Sequence, residues 1–353
     1  MPQQRAVIIY NPMSGRAGRR AEDARHMISL LAARGIQAEA CATAGPDDAT
    51  RLAREAVIDG VEIIVSYGGD GTLNEVIQGM AESHAALAVW PGGTSNVVAR
   101  DLNMPFVIER LADVIAAGKT IRIALGLATR KRVGEWGSGG VREWGSKGVR
   151  ATSNSGAAEQ RKREVEEQTG QPTISSTPPL LHSPTPPLPG HRYFLMMAGI
   201  GLDASIARSV NKKLKRRAGE LAYWVTGIKH LFTWPAERFT ITVDGQRFES
   251  TFAIIGKGKA YGGGMTVTPN ARLDEALFEV YILPPLKSNL AYLRVLSACM
   301  RGKPEASGAT MIKGRRVEAN SSHEPWVEAD GEVIGPLPMT FEAVPDALTL
   351  IVP

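Results

Sequence analysis

The sequence predicts an α/β protein: a mostly parallel sheet covered by helices on both faces, followed by a β-rich second domain. Two observations predict it. Over the first 128 residues short apolar runs alternate with amphipathic stretches, and beyond residue 191 the pattern changes to closely spaced short strands around a hairpin signal. At 353 residues the chain is long enough to bury two such cores.

Residues 6–10 read as a short apolar strand ending at Asn11-Pro12, and a Gly- and Arg-rich turn leads to an amphipathic helix over 21–34. A second strand spans 37–43, a helix spans 47–58, and a buried-looking strand over 61–66 runs into Gly68-Gly69-Asp70-Gly71. Residues 73–83 continue as a helix, and 86–90 form the next strand. Parallel strands need such helical crossovers between them.

The next stretch departs from this pattern. An octamer occurs twice over 133–148, identical at six of eight positions, and a polar run then leads to seven prolines between Pro172 and Pro189. That composition buries no core, so 130–190 is expected to be a disordered or extended insertion. Two copies are too few for a solenoid. Residues 193–197, 239–243, 247–253, 276–282, 316–319, 326–329 and 348–352 then read as strands, with Asp244-Gly245 as a hairpin turn. Helical stretches at 214–232 and 289–300 interrupt them, and the expected domains are 1–129 and 191–353.

Composition narrows the function classes. Hydrophobic residues make up 43% and charged residues 22%, which excludes wholesale disorder. Lys and Arg outnumber Asp and Glu by 41 to 36, an excess too small to argue for nucleic acid but suited to an anionic substrate or surface. Two cysteines, Cys41 and Cys299, exclude a disulfide framework, and the six histidines show no paired metal-ligand spacing. There is no signal-peptide pattern and no uncharged apolar run of spanning length, so a cytoplasmic protein with at most peripheral membrane contact is expected.

The strongest chemical signal is Gly68-Gly69-Asp70-Gly71-Thr72-Leu73-Asn74-Glu75. Glycines between an apolar strand and a helix allow close backbone approach, and the amides at the helix start make an anion site suited to phosphates. Asp70 can position a hydrated Mg²⁺ or a reacting hydroxyl, and Thr72 can donate to a phosphate oxygen. Pro91-Gly92-Gly93-Thr94-Ser95-Asn96 repeats the strand–turn–helix arrangement, and Asn11-Pro12-Met13-Ser14-Gly15-Arg16 adds a third polar turn with a cation. Turns at the ends of neighbouring strands in a doubly wound sheet face one crevice.

Five motifs together resemble the diacylglycerol kinase catalytic-domain family, in its soluble bacterial lipid kinase branch (diacylglycerol- and sphingosine-kinase-like). They are Asn11-Pro12-x-Ser14-Gly15, Gly68-Gly69-Asp70-Gly71-Thr72, Pro91-x-Gly93-Thr94-x-Asn96 with Ala99-Arg100, Gly199-x-Gly201-Leu202-Asp203-Ala204, and Asp330-Gly331-Glu332. NAD kinases share only the second. The resemblance covers 5–128 and 191–353 and implies a doubly wound α/β nucleotide-binding domain joined to a β-sandwich. It further implies ATP and Mg²⁺ as cofactors, with Asn11, Thr43, Gly68, Gly69, Asp70, Gly71, Thr72, Leu73, Asn74, Thr94 and Asn96 around the nucleotide, and Asp203 on the far side of the cleft.

Family members carry an acidic residue, often in Asp-Asp-Gly, that takes the proton of the attacking hydroxyl. The matching string is Leu273-Asp274-Glu275-Ala276-Leu277-Phe278, which makes Glu275 the expected base with Asp274 as backup, and Asp70 the second catalytic carboxylate. Alanine replaces the family's glycine at Ala276, and Ala124 stands where some relatives have Asp. Asp244 resembles a structural Mg²⁺ ligand of bacterial relatives and equally reads as a plain turn residue. The cationic run 211–217 suits anionic headgroups or a solvated helix face. The function implied is transfer of the ATP γ-phosphoryl group to diacylglycerol or a similar lipid. Another lipid alcohol such as a sphingoid base, and a nucleotide-binding lipid sensor, are the alternatives, and a homodimer is compatible with each.

Overall fold

The computed structural model describes residues 4–13, 19–130, 190–202, 204–205, 236–261, 265–286 and 291–353. Residues 131–189 of the expected 130–190 insertion, the turn residues Ser14, Gly15 and Arg16, Asp203, and the run 211–217 with its helix at 214–232 lie outside the described residues.

The N-terminal half alternates as expected: β1 (Gln4–Tyr10), α1 (Arg20–Ala32), β2 (Ile36–Ala42), α2 (Asp48–Ile58), β3 (Ile63–Gly68), α3 (Asp70–Met80), β4 (Ala86–Pro91), α4 (Val97–Asp101) and α5 (Ile108–Ala117). The strands lie parallel in the order β2-β1-β3-β4. β3 is buried along its whole length, as befits a central strand with helices on both faces. α1 turns Ala24, Met27 and Leu31 inward at helical spacing. α2 buries only alanines, Ala49, Ala53 and Ala56, and α3 meets it at Gly79, where a Cβ would stand 2.3 Å from the Thr50 carbonyl oxygen.

Beyond α5 come β5 (Thr120–Arg130), β6 (His191–Phe194), β7 (Met197–Ile200), β8 (Phe239–Val243), β9 (Gln246–Ser250), β10 (Phe252–Gly256), β11 (Ala260–Tyr261), β12 (Met265–Thr266) and β13 (Phe278–Leu283). They are followed by α6 (Ala291–Met300), β14 (Thr310–Gly314), β15 (Arg316–Asn320), β16 (Trp326–Ala329), β17 (Glu332–Pro336) and β18 (Met339–Ile351). One sheet is antiparallel throughout, in the order β14-β13-β10-β7-β16-β17. A larger sheet begins as the parallel N-terminal sheet and continues through β18 into β15, β8 and β9, with β5 paired to β18 and β6 to β5, while β11 and β12 form a separate ribbon. The last strand therefore belongs to both halves: Thr349 and Leu350 pair with Ala86 and Leu87 of β4, while residues nearer Met339 pair with β15.

The sandwich forms where the antiparallel parts of the two sheets face each other. Alternation along β7, β10 and β13 sends Ala198, Ile200, Ala253, Ile255, Phe278, Val280 and Ile282 into the space between the sheets. The intervening Met197, Ile254, Tyr281 and Leu283 pack on the other face with Tyr292, Val295 and Cys299 of α6. Gly126 pairs with Phe194, and a Cβ there would lie 2.1 Å from the Phe194 ring.

Three expectations need correction. The strand expected over 193–197 is two strands, β6 and β7, in different sheets, because the chain crosses between sheets at Leu195-Met196. The strand expected over 247–253 divides likewise into β9 and β10 at Thr251. The helix expected from residue 73 begins at Asp70, since Gly69 is extended (φ −90°, ψ −177°) and the helix starts directly after it.

Candidate active site

The C-terminal ends of β2, β1, β3 and β4 lie side by side, which brings Thr43, Asn11, Gly68 to Asn74, and Thr94 to Asn96 to one edge of the sheet. The Asn11 side-chain oxygen accepts the Met13 amide at 2.9 Å and shapes the first turn, and the Thr43 amide donates to the Tyr10 carbonyl at 2.9 Å. Gly69 and Gly93 touch backbone to backbone: a Cβ on Gly93 would stand 2.5 Å from the Gly69 Cα. The Gly92 amide donates to the Gly68 carbonyl at 2.8 Å, so the two glycine turns form one continuous rim. Asn96, left-handed at φ 47°, accepts the Gly93 amide at 2.7 Å and donates to the Gly93 carbonyl at 2.9 Å, folding its turn back on itself.

Because Asn96 is occupied in its own turn, α4 takes its N-terminal acceptor from elsewhere. Asp70 Oδ1 accepts the Val97 amide at 2.9 Å and ties the two turns together. Asp70 also opens α3, whose first-turn amides have no acceptors within the helix. Leu73 and Asn74 turn their side chains inward. Leu73 joins the N-terminal core, and Asn74 lies against Gln78, which exchanges hydrogen bonds with the Tyr193 backbone at 2.9 Å. Glu75 accepts the Ala49 amide at 3.2 Å at the start of α2, and burial, together with the charges of Asp47 and Glu332, pushes its carboxyl upward.

Replacing Gly93 by Ala should force the two turns apart. The obstructing atom is backbone, so relief needs a main-chain shift, and a loss of about 1–3 kcal/mol is expected. A denaturant midpoint that falls together with weakened nucleotide binding checks this, and a wild-type response in both would refute the packed rim.

The structure adds a cation that the sequence reading did not single out. Arg20, 5% exposed, lies over the Tyr67 ring at 4.2 Å, and Tyr67 stacks on Trp90 at 3.6 Å. Its guanidinium donates to the Gly92 carbonyl, and with Arg19, Asp23, Tyr67 and Gly92 it lines a cavity of about 360 Å³. The Tyr67 hydroxyl donates to Asp23 at 2.6 Å, and burial followed by that contact raises the phenol well above its usual range.

Glu275 lies on the turn before β13, its carboxylate 3.0 Å from Lys313 Nζ and 3.3 Å from Arg272 Nε. Neighbouring Asp274 takes Arg272 on both oxygens at 3.0 and 2.7 Å, which holds its carboxyl below the ordinary range. The turn is tied to the first sheet, since the Leu273 side chain packs on the N-terminal core and its carbonyl accepts the Ala124 amide at 2.9 Å. Ala124 is thus a buried backbone anchor. Beneath the turn sits Lys257, with no exposed surface, whose burial nothing in its local sequence announces.

Asp330-Gly331 is a two-residue hairpin turn with both residues at positive φ, 47° and 82°. The Asp330 carboxylate accepts the amides of Leu195, Met196 and Met197 at 2.6, 2.9 and 3.0 Å, which satisfies the backbone where the chain changes sheets. Burial pushes its carboxyl upward, against those three amides. Glu332 pairs with Arg192. Asp244-Gly245 repeats the hairpin geometry, and the two Asp244 oxygens accept the amides of Arg315 and Arg316, each at 2.9 Å. That bonding favours the plain turn role for Asp244. Among the described residues no three acidic, histidine or cysteine side chains group as metal ligands.

A model of the diacylglycerol kinase catalytic domain matches residues 5–128, and a model of the YegS C-terminal NAD kinase beta sandwich-like domain matches residues 197–352. The chain carries a diacylglycerol kinase catalytic domain followed by a YegS-type sandwich domain. A diacylglycerol kinase of Bacillus subtilis (strain 168) is 27% identical over 347 residues, covering 96% of this chain and 93% of that protein. One from Staphylococcus aureus (strain bovine RF122 / ET3-1) is 27% identical over 345 residues, covering 96% and 89%. A crystal structure of a diacylglycerol kinase from Bacillus anthracis str. Sterne shares the fold, with a TM-score of 0.68 at 20% identity over 100% of this chain and 98% of that one. The α/β domain with a following β-sandwich, and the membership read from the five motifs, are thereby confirmed: the protein is a kinase of a lipid kinase family. Among the described residues no helix is long and apolar enough to cross a membrane.

Proposed function

We propose that this kinase transfers the γ-phosphoryl group of ATP to the hydroxyl of diacylglycerol or a similar lipid, working in the cytoplasm with peripheral contact to anionic membrane. The observation that carries the reading is the single rim at the ends of β1 to β4, where two glycine turns touch and the N-terminus of α3 opens at Asp70. Amides and a helix start of this kind suit the triphosphate of a nucleotide.

In this reading Gly68 to Thr72, Thr94 and the turn held by Asn96 surround the phosphates, while Asn11 and Thr43 flank the nucleotide. Leu73 and Asn74 support the rim from inside. Mg²⁺ commonly takes one or two protein carboxylates and completes its shell with phosphates and water, so the Asp70 carboxylate at the start of α3 fits a metal that arrives with ATP. When bound, the metal would neutralise charge on the phosphates. Asp244, whose two oxygens each accept a backbone amide, is read as the turn residue of its hairpin. Glu275 takes the proton of the attacking lipid hydroxyl, with Arg272 and Lys313 fixing its orientation.

The test is transfer of labelled γ-phosphate from Mg·ATP into diacylglycerol mixed micelles. Labelled lipid product supports the reading. Product only with another lipid alcohol would reassign the acceptor, and ATP binding without transfer to any lipid would favour a sensor.

A further inference from the structure

Lys257 follows β10, and its side chain is fully buried. An ammonium taken out of water is costly unless hydrogen bonded on all sides. Here three backbone carbonyls surround it: Nζ donates to Arg272 at 2.9 Å, to Leu277 at 3.3 Å, and in a shorter contact to Glu275. An ammonium has three donors, so the set is complete. All three carbonyls belong to the turn that carries Asp274 and Glu275.

The other end of the lysine is equally fixed. The amides of Lys257 and Gly258 both donate to the Met196 carbonyl, at 2.8 and 2.9 Å, and the Met196 amide is held by Asp330. Two residues on, the charge of Lys259 acts on Asp101 at the end of α4, whose first amide is bound by Asp70. Lys257 is thereby held between the sheet crossing at Met196 and the turn of Glu275. Between β12 and β13 that turn belongs to no helix or strand, and its own bond from the Glu275 amide to the Arg272 carbonyl is long at 3.3 Å, so the ammonium adds shorter contacts to the same turn.

We propose that Lys257 is the positioning residue of the base: its buried ammonium gathers the carbonyls of Arg272, Glu275 and Leu277 and so holds the Glu275 carboxylate in place for proton transfer. The inference rests on the kinase reading above. Burial lowers the amine to about 8, against the charges of Glu275 and Asp274 and in line with that of Lys313, with Arg272 completing the charged surroundings of the turn. Three carbonyl acceptors around Nζ suit the protonated ammonium, which has three hydrogens to donate.

Lys257→Met keeps the length of the chain and removes the donors. Its kcat should fall about 10- to 100-fold with the KM for ATP within about twofold, because the base is displaced while the nucleotide rim is not. Amide hydrogen exchange over 272–277 should quicken while β1 keeps wild-type protection. Lys257→Ala leaves room for a free amine, so propylammonium should restore both its kcat and its protection at the turn. Unchanged exchange at 272–277 in Lys257→Met would overturn the brace, and faster exchange with wild-type kcat would overturn its role in positioning. Should Lys257→Met not fold, Lys257→Ala with and without propylammonium decides, and absence of amine-dependent restoration counts against the proposal. If the wild-type chain phosphorylates no lipid alcohol, the kinase reading fails by itself, while the exchange measurements still test the brace.

Discussion

Asp70→Asn is expected to lower phosphoryl transfer by at least about 10³-fold while leaving the chain folded. A substituted amide oxygen can still accept the Val97 amide that Asp70 Oδ1 accepts at 2.9 Å, so the tie between the two rim turns survives. What disappears is the negative charge at the start of α3, where it can meet a cation that arrives with the triphosphate. Asp70→Ala separates the two roles. It loses the charge and also the cap of α4, and should cost about 1 kcal/mol of stability beyond the Asn variant. The measurement is labelled-phosphate transfer alongside thermal melting of both variants. Activity retained by Asp70→Asn would remove Asp70 from the chemistry and leave it as a structural tie between turns.

The N-terminal elements were legible because their signals are local. Apolar runs of strand length, helical spacing such as Ala24, Met27 and Leu31, and glycine turns at the strand ends each speak for themselves. The Asp244-Gly245 hairpin was legible for the same reason. What the sequence could not show is which sheet a strand joins. A continuous apolar run reads identically whether it stays in one sheet or crosses at Leu195-Met196, and the crossing depends on the Asp330 carboxylate more than 130 positions away. The site divides along the same line. Motif residues on the rim were found, yet the bond from Asp70 to Val97, the stacking of Arg20 on Tyr67 and the burial of Lys257 exist only once distant segments meet. The lysine of Gly256-Lys257-Gly258-Lys259 looks like any exposed cation after a strand.

Glu275→Gln is expected to lower kcat by about 10²- to 10⁴-fold, the range that a positioned general base supplies, with little change in the KM for ATP. The fold should barely notice. The ion pairs lost are those to Lys313 and Arg272, whose side chains are 43% and 57% exposed, and exposed pairs contribute about 0–1 kcal/mol. Asp274→Asn is the companion variant and should remain close to wild type. Arg272 grips both Asp274 oxygens and holds that carboxyl below its ordinary range, which makes it the poorer proton acceptor, whereas Glu275 meets its two cations through one oxygen each. If Asp274→Asn were silent and Glu275→Gln nearly so, neither carboxylate would be the base. The reverse order of effects would move the role to Asp274. The expected order, with unchanged melting in both, places the proton on Glu275, on the turn that Lys257 holds from beneath.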